Sequence, residues 1–287
     1  MNARLFFVHA LSPLHAGTGQ GVGAIDLPIA REKATGLPFV PGSSLKGVLR
    51  DSCTDPDRRK KVFGPDTDRA DEHAGSAQIS DARLLLLPIR SLAGTFAWVT
   101  SPYVLRRFLR DAQDAQAAGL PTSVPSPASE DQCKVAQDAC QISIASGNTS
   151  QVYLEDLDLN AVADPAVNTW ATWLGSKVFP NDPQWQQMLL GRLCVVHDDV
   201  LSFLLETATE VTARIKLQEN AKTVQKGGLW YEEALPTETI LYGLAVAVPV
   251  KAAVQEVFAV LQSLMGQAVQ VGGKATVGRG LCRLQME

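Results

Sequence analysis

The sequence predicts an α+β fold of the ferredoxin-like kind, a sheet with insertions rather than an all-parallel arrangement, on three observations. A strand, helix, strand order recurs near both ends of the chain. The 287 residues, 46% of them apolar, suffice for a sizeable core and favour one main domain with inserts. Glycine gathers in two loops beside these end elements, at 15–23 and 272–280. Such clusters mark backbone that bends sharply or approaches a ligand closely.

Taken in order, "RLFFVHAL" (4–11) is a short apolar run ending at Ser12-Pro13, as in a buried strand entering a loop. Pro41-Gly42 makes a turn, and Ser43 or Ser44 is placed to cap a helix carrying Leu45, Val48 and Leu49 on one face. That first turn offers backbone N–H groups beside Lys46. The charged run "DRRKKVFG" closes the helix, and 65–77 reads as a polar, acidic loop. "ARLLLLPI" (82–89) and "TFAWVT" (95–100) form a strand pair, and 101–118 has helical spacing with proline near its start. Residues 119–148, rich in Pro, Ser, Ala and Gln and lacking sustained periodicity, read as a variable or mobile insertion.

Beyond it come a strand region at "VYLEDLDL", a helix over "PAVNTWATWLGSKVF", a strand at "RLCVVHD", a short helix at "DDVLSFLLETA" and a strand at 209–218. Residues 219–239 carry a Lys-Gly-Gly turn and the aromatic pair Trp230-Tyr231, the mark of a hairpin-like protrusion between two strands. "TILYGLAVAVPV" is the next strand and "KAAVQEVFAVLQSLM" an amphipathic helix; strand, glycine loop and strand complete the chain.

The formal net charge of −4 gives no general attraction for a polyanion, so any nucleic-acid binding is local. Five cysteines, with no CxxC pair and no zinc-type spacing, read as reduced, unpaired thiols of the cytosol. No run approaches the ~20 apolar residues of a membrane span, and the expectation is a soluble cytoplasmic protein without a membrane partner.

Neither glycine loop satisfies the usual phosphate motifs. "GTGQGVG" fails G-x-G-x-x-G, and the acidic residue that closes a dinucleotide-binding unit is not evident. "GLPFVPGSS" and "GGKATVGRG" both miss G-x-x-x-x-G-K-[ST], so a nucleotide-dependent enzyme lacks support. Both regions instead embed lysine or arginine in backbone able to turn N–H groups toward an anion. Residues 31–61 hold eight basic side chains against four acidic ones, and the C-terminal loop adds Lys274, Arg279 and Arg283. Helix N-termini and glycine nests bind phosphate without reading sequence, although any single lysine is more often a solvated surface charge.

"SPLHAGTGQGVGAIDLPIAREKATGLPFVPGSSLKGVLR" (12–50) together with "VGGKATVGRG" (271–280) resembles the RAMP superfamily, the RNA-binding proteins of CRISPR effector complexes. The I-D-L-P-I-x-R-E spacing and "KGGLWYEEALP" look like the repeated backbone subunit of type III-B (Cmr) complexes. The resemblance covers both ends and 209–243, and 101–200 contributes little. It implies a palm with a modified RNA-recognition fold, built from about 1–100, 150–212 and 238–287. It also implies a variable insertion at about 119–150 and a protruding thumb at about 213–237.

Partners implied in the same way are a guide RNA, a target single-stranded RNA, further copies head to tail, and other effector subunits. A head-to-tail contact leaves both ends open and so propagates along RNA. Guide contacts then fall on Gly17, Gly19, Ser43, Ser44, Lys46 and Arg50, on Gly273, Lys274, Gly278 and Arg279, and on Lys222 in the thumb. Aromatic RNP motifs are lacking, so base stacking on the sheet is not the expected mode.

Members of this type cut the paired target at regular intervals with a divalent metal, Mg or Mn, and the matching loop aspartate is Asp26, the implied metal ligand and catalytic group. Paired A-form RNA holds its 2'-OH off line, so a thumb that flips out a nucleotide makes in-line attack accessible, and a carboxylate beside that phosphate can hold a cation or take a proton. His15 is a candidate acid or base, and Tyr231, Glu232 and Glu233 are candidates to reach a neighbour's scissile site. Each has a quieter role open to it: a loop hydrogen-bonder for His15, an anchor for the thumb base in Trp230 and Tyr231, solvated surface for the glutamates. A scaffold without chemistry is the alternative. Asp26 argues against it, because a bare carboxylate beside phosphates is unfavourable without a cation or proton.

Overall fold

Strands buried at almost every position dominate the centre of the molecule. The computed structural model describes residues 2–19, 21, 25–69, 71–147, 149–218 and 223–287. Its first elements are β1 (Ala3–Ala10), β2 (Phe39–Val40), α1 (Gly42–Ser52), α2 (Pro56–Phe63), β3 (Ala77–Ile79), β4 (Ala82–Arg90), β5 (Phe96–Thr100) and α3 (Pro102–Asp114). The middle holds β6 (Gln132–Val135), β7 (Ser143–Ser146), β8 (Thr149–Leu154), β9 (Leu157–Ala163), α4 (Pro165–Val178), α5 (Pro183–Arg192), β10 (Leu193–Val196) and α6 (Asp198–Thr207). The last are β11 (Glu210–Leu217), β12 (Val224–Ala234), β13 (Ile240–Ala247), α7 (Val254–Leu264), β14 (Ala268–Gln270) and β15 (Leu281–Met286).

The fold is mixed α and β. Among the described residues, one sheet of 13 strands runs β14-β15-β1-β13-β4-β5-β10-β6-β9-β8-β7, with β2 added on β4 and β3 on β13. Its central strands β15, β1, β13 and β4 are each antiparallel to the next. Hence β1 is parallel to β4 with β13 between them, and β13 is parallel to β15 with β1 between them, giving two interleaved strand-helix-strand units. Neighbouring residues in β1 and β4 are alike buried, and successive side chains point to opposite sheet faces, so helices must cover both. α1, α2 and α7 pack together as one group; α3, α4 and α5 form the cover elsewhere, α4 reaching β1 and β15. At their junction Phe108 of α3 is fully buried against Phe7, Trp170, Trp173 and Tyr242, with ring centroids 4.9–6.2 Å away.

Several sequence expectations change. The α1 cap position is Pro41 with no side-chain cap, so Ser43 and Ser44 lie inside the helix with exposed side chains, and Asp81 Oδ1 accepts the Gly42 N–H at 2.8 Å. "DRRKKVFG" does not close α1; it forms the separate helix α2, started by Asp55, which accepts the Asp57 and Arg58 N–H groups, and by proline at the first position. Within 119–147, β6 and β7 join the sheet, β6 lying between β10 and β9 with Cys133 and Val135 buried. The helix α5 has no counterpart in the sequence reading.

The ribbon consists of β11 and β12, which form a two-stranded sheet separate from the large one, paired from Glu210↔Ala234 outward, so it begins before residue 213. Lys222 falls outside the described residues. The five cysteines are unpaired, and among the described residues no helix is long and apolar enough to cross a membrane.

Truncating the aromatic hub should expose its importance. Phe108→Ala should destabilise the protein by about 3–5 kcal/mol, read as a lowered midpoint in denaturant with an unchanged slope. A midpoint within error of wild type would contradict this packing.

Candidate functional site

The first glycine loop does not stand free. It folds back on itself, with Ala30 N–H donating to Ala16 O (2.7 Å), and then docks on the base of β12, where Leu27 pairs with Glu232 in parallel. Leu27 N–H donates to Tyr231 O (3.1 Å), and Glu233 N–H donates to Leu27 O (3.0 Å). This pairing places Asp26 beside Tyr231, whose N–H donates to Asp26 Oδ2 at 2.8 Å. Asp26 is exposed, so one carboxylate oxygen is oriented by backbone while the residue faces solvent. Gly21 permits the tight fold, because a Cβ there would lie 2.5 Å from Asp26 O. Gly17 and Gly19 are exposed on the same loop.

Consecutive side chains of β12 reach opposite ways, and Glu232 and Glu233, both 3% exposed, each find partners in a different distant segment. Glu232 accepts from Lys274 Nζ (2.7 Å), Trp230 Nε1 (2.8 Å) and Arg214 Nε (3.4 Å). Burial raises its pKa, but the hydrogen bonds from Lys274 and Trp230 and the charges of Lys274 and Arg214 outweigh burial and hold it at about 2. Glu233 accepts from Ile29 N–H (3.0 Å), Arg31 Nη2 (2.6 Å) and Thr209 Oγ1 (2.9 Å). The quieter reading of these glutamates as solvated surface therefore does not hold. A carboxylate with three donors is too well stabilised to serve as a strong base, so Glu232 is placed to fasten structure.

His15 joins the two glycine loops. Its ring is buried and Nδ1 lies 2.6 Å from Glu233 O; a carbonyl only accepts, so Nδ1 carries a proton, and Nε2 is the nitrogen whose lone pair is available whenever the ring is neutral. The His15 carbonyl accepts the Gly273 N–H at 2.9 Å. Gly272, at φ +75°, sits so close that a Cβ would lie 2.5 Å from that same oxygen. Farther along the loop, Gly278 is exposed, while Arg279 is buried and donates to Thr212 Oγ1 of β11 at 3.0 Å. Lys274 is half-buried. Its ion pair with Glu232 makes it a shared rather than a solitary cation.

Around α1, Ser43 and Ser44 present exposed hydroxyls in the first turn. Lys46 is half-buried, and burial followed by the Arg50 charge pushes its pKa below the ordinary value. Arg50 donates to Pro65 O (3.0 Å) and to Asp66 Oδ1 (2.6 Å), so it braces the following loop.

Among the described residues, the three metal-ligating groups close enough to share an ion are Glu130, His197 and Asp199, a set that excludes Asp26. Asp26 thus offers a single exposed carboxylate. That donor set fits a hard cation such as Mg, which is commonly held by one or two carboxylates with water and substrate phosphate oxygens.

The sequence singled out Asp26, His15, Tyr231 and the glutamates, and the structure brings all of them to the β12 base. It missed Arg31 and Thr209 as partners of Glu233. The available signal was a Glu-Glu pair inside the otherwise apolar run from Leu229 to Leu235.

Comparison with known proteins gives a concordant result. The family model described as the RAMP superfamily matches residues 7–283. A protein named CRISPR system Cmr endoribonuclease Cmr4, from Pyrococcus furiosus, is 34% identical over 306 residues, covering 100% of this chain and 96% of its own. Another, named CRISPR system CMR subunit Cmr4, from Saccharolobus solfataricus, is 25% identical over 98% of this chain and 95% of its own. The crystal structure of oligomeric Cmr4 from Pyrococcus furiosus superimposes with a TM-score of 0.76 at 29% identity, covering 100% of this chain and 98% of that one.

The Glu232 cluster should be visible in the pH dependence of stability. Its folded-state pKa lies below the ordinary 4.5, so the stabilisation is complete above that value and is lost as pH falls toward 2. Wild type should exceed Glu232→Gln by about 3 kcal/mol near neutrality, with the gap closing through that acid window, as thermal melts would show. A gap that stays constant to pH ~3 would contradict the assignment.

Proposed function

The chain belongs to the RAMP superfamily, and from that premise we propose that it is a repeating backbone subunit of a CRISPR RNA-guided effector of the type III-B (Cmr) kind, binding guide RNA and cutting the paired target RNA at regular intervals. The observation that carries this reading is the convergence of both glycine loops on the base of β12, which leaves Asp26 exposed with one oxygen oriented. The full-length likeness to a relative named an endoribonuclease supports the cutting activity, and the oligomeric relative supports association of copies.

In this reading the interleaved strand-helix-strand units are a ferredoxin-like palm, and the β11–β12 ribbon is the thumb. Guide phosphates lie along Ser43, Ser44 and Lys46 and along the C-terminal loop, where Gly273, Lys274 and Gly278 are the contacts. Arg50 and Arg279 support these contacts from beneath, given their protein partners. Backbone contacts without base preference suit a protein whose specificity comes from guide pairing. The thumb holds one target nucleotide out of the duplex, freeing its 2'-OH to align with the adjacent phosphate.

Asp26 then stands at the scissile phosphate. A divalent cation bound there would neutralise the carboxylate–phosphate repulsion and stabilise charge on the phosphate. The chain's own contribution is to orient the carboxylate through Tyr231 N–H, with His15 a further candidate proton acceptor through Nε2. Glu232 fastens the guide loop to the thumb rather than entering the reaction.

Cleavage of an end-labelled, guide-paired RNA by the reconstituted complex tests the proposal. Asp26→Asn should lower the cutting rate at least about 100-fold while guide retention and assembly persist. Cutting at the wild-type rate would move the chemistry to other residues. A competent wild-type assembly that yields no evenly spaced products would leave the chain a scaffold.

A further inference from the structure

Asp26 is held by a backbone N–H, so its position depends on how firmly the stretch after it is registered on β12. Leu27 supplies two backbone hydrogen bonds to that strand; farther along, where Pro28 and Ala30 pair within the loop, the Ile29 N–H and the Arg31 guanidinium are the groups tied back to β12. Both meet one carboxylate, that of Glu233. The same group accepts from Thr209, in the connection between α6 and β11. Arg31 extends the tie by donating to Leu205 O at 2.9 Å and to Gly36 O at 3.1 Å. A single buried side chain therefore joins the Asp26 loop, the end of α6 and the thumb strand.

Packing duplicates this tie only in part: Ile29 is buried in the core, whereas Ile25 and Pro28 are half-buried. A cavity of about 550 Å³ borders the loop, lined by Ile25, Pro28 and Ile29 with Leu205 and Glu206, so apolar contact alone leaves the stretch room to shift. A displacement of about 1 Å at a reacting group is enough to cost ~100-fold in rate.

We infer that Glu233 is a positioning residue for target cutting, its carboxylate clamping Ile29 and Arg31 so that the neighbouring Tyr231 N–H meets Asp26. This rests on the function proposed above. Glu232, one residue earlier, serves the opposite face of the strand and the other loop, so the two glutamates have separate tasks.

The test compares wild type, Glu233→Gln and Asp26→Asn in the reconstituted, guide-loaded complex, measuring single-turnover cutting across a Mg²⁺ titration alongside the amount of assembled complex. Glu233→Gln keeps the shape but removes the charge that holds Arg31. Its cutting rate at low Mg²⁺ should fall about 10- to 100-fold, and its half-saturating Mg²⁺ concentration should rise severalfold, with assembly and product spacing as in wild type. A purely structural role would lower the rate only in proportion to assembled complex and leave the midpoint unmoved. That result, or a wild-type titration, overturns the inference.

If Asp26→Asn abolishes cutting while Glu233→Gln matches wild type, the clamp alone fails; if Asp26→Asn cuts normally, the functional reading fails and the clamp with it. Should Glu233→Gln not assemble, Thr209→Val removes one of the carboxylate's three donors more gently. It should shift the Mg²⁺ midpoint in the same direction by a smaller amount, and an unmoved midpoint overturns the inference.

Discussion

Two adjacent buried carboxylates at the foot of one strand hold the functional half of this protein together. β12 enters the body with Glu232 on one face and Glu233 on the other, and each is neutralised by a cation from a different loop, Lys274 and Arg31. Leaving either carboxylate buried without its partner would cost several kcal/mol, so the loops and the thumb are bound to one another's positions. His15 completes the connection, with its ring on Glu233 O and its carbonyl on Gly273 N–H.

The consequence for function is geometric. A loop rich in glycine is conformationally free by nature, yet a reacting carboxylate needs a fixed place. Here the stretch after Asp26 is fixed by the hydrogen bonds of Leu27 and Ile29 to β12, while the carboxylate itself stays exposed. The 272–280 loop is treated likewise: Gly272 approaches His15 too closely for any side chain, and Arg279 is buried and donates to Thr212 of β11. The β11–β12 ribbon, the 272–280 loop and the Asp26 loop are thus linked to one another, and under the proposed function guide binding and target distortion meet there.

Much of the central sheet was legible because its strands are long apolar runs, and α1 and α7 because their apolar residues recur at helical spacing. β6 was not, since four residues with two buried side chains carry little periodicity, and its place is fixed by β10 and β9 rather than by its own sequence. α2 was misread as the end of α1 although Asp55-Pro56 is a start signal; the run of charges after it hid the short apolar end at Val62 and Phe63. At the site, the family resemblance singled out Asp26, and His15 followed from its place at the start of the same loop. The glutamates were read as candidates for a neighbour's scissile site or, more quietly, as solvated groups; their burial was not legible, because the partner of Glu233 lies 202 residues earlier in the chain. Pairing over such a separation is a product of the fold.

The most direct test of the account is a structure of the assembled complex with guide and uncut target RNA, read for what Asp26 faces. The account predicts the Asp26 carboxylate within about 4 Å of a phosphate oxygen at each displaced target nucleotide, close enough for one shared cation. It also predicts the 272–280 loop of the same subunit on the guide strand. An Asp26 turned away from every displaced nucleotide, with another carboxylate in that place, would contradict it.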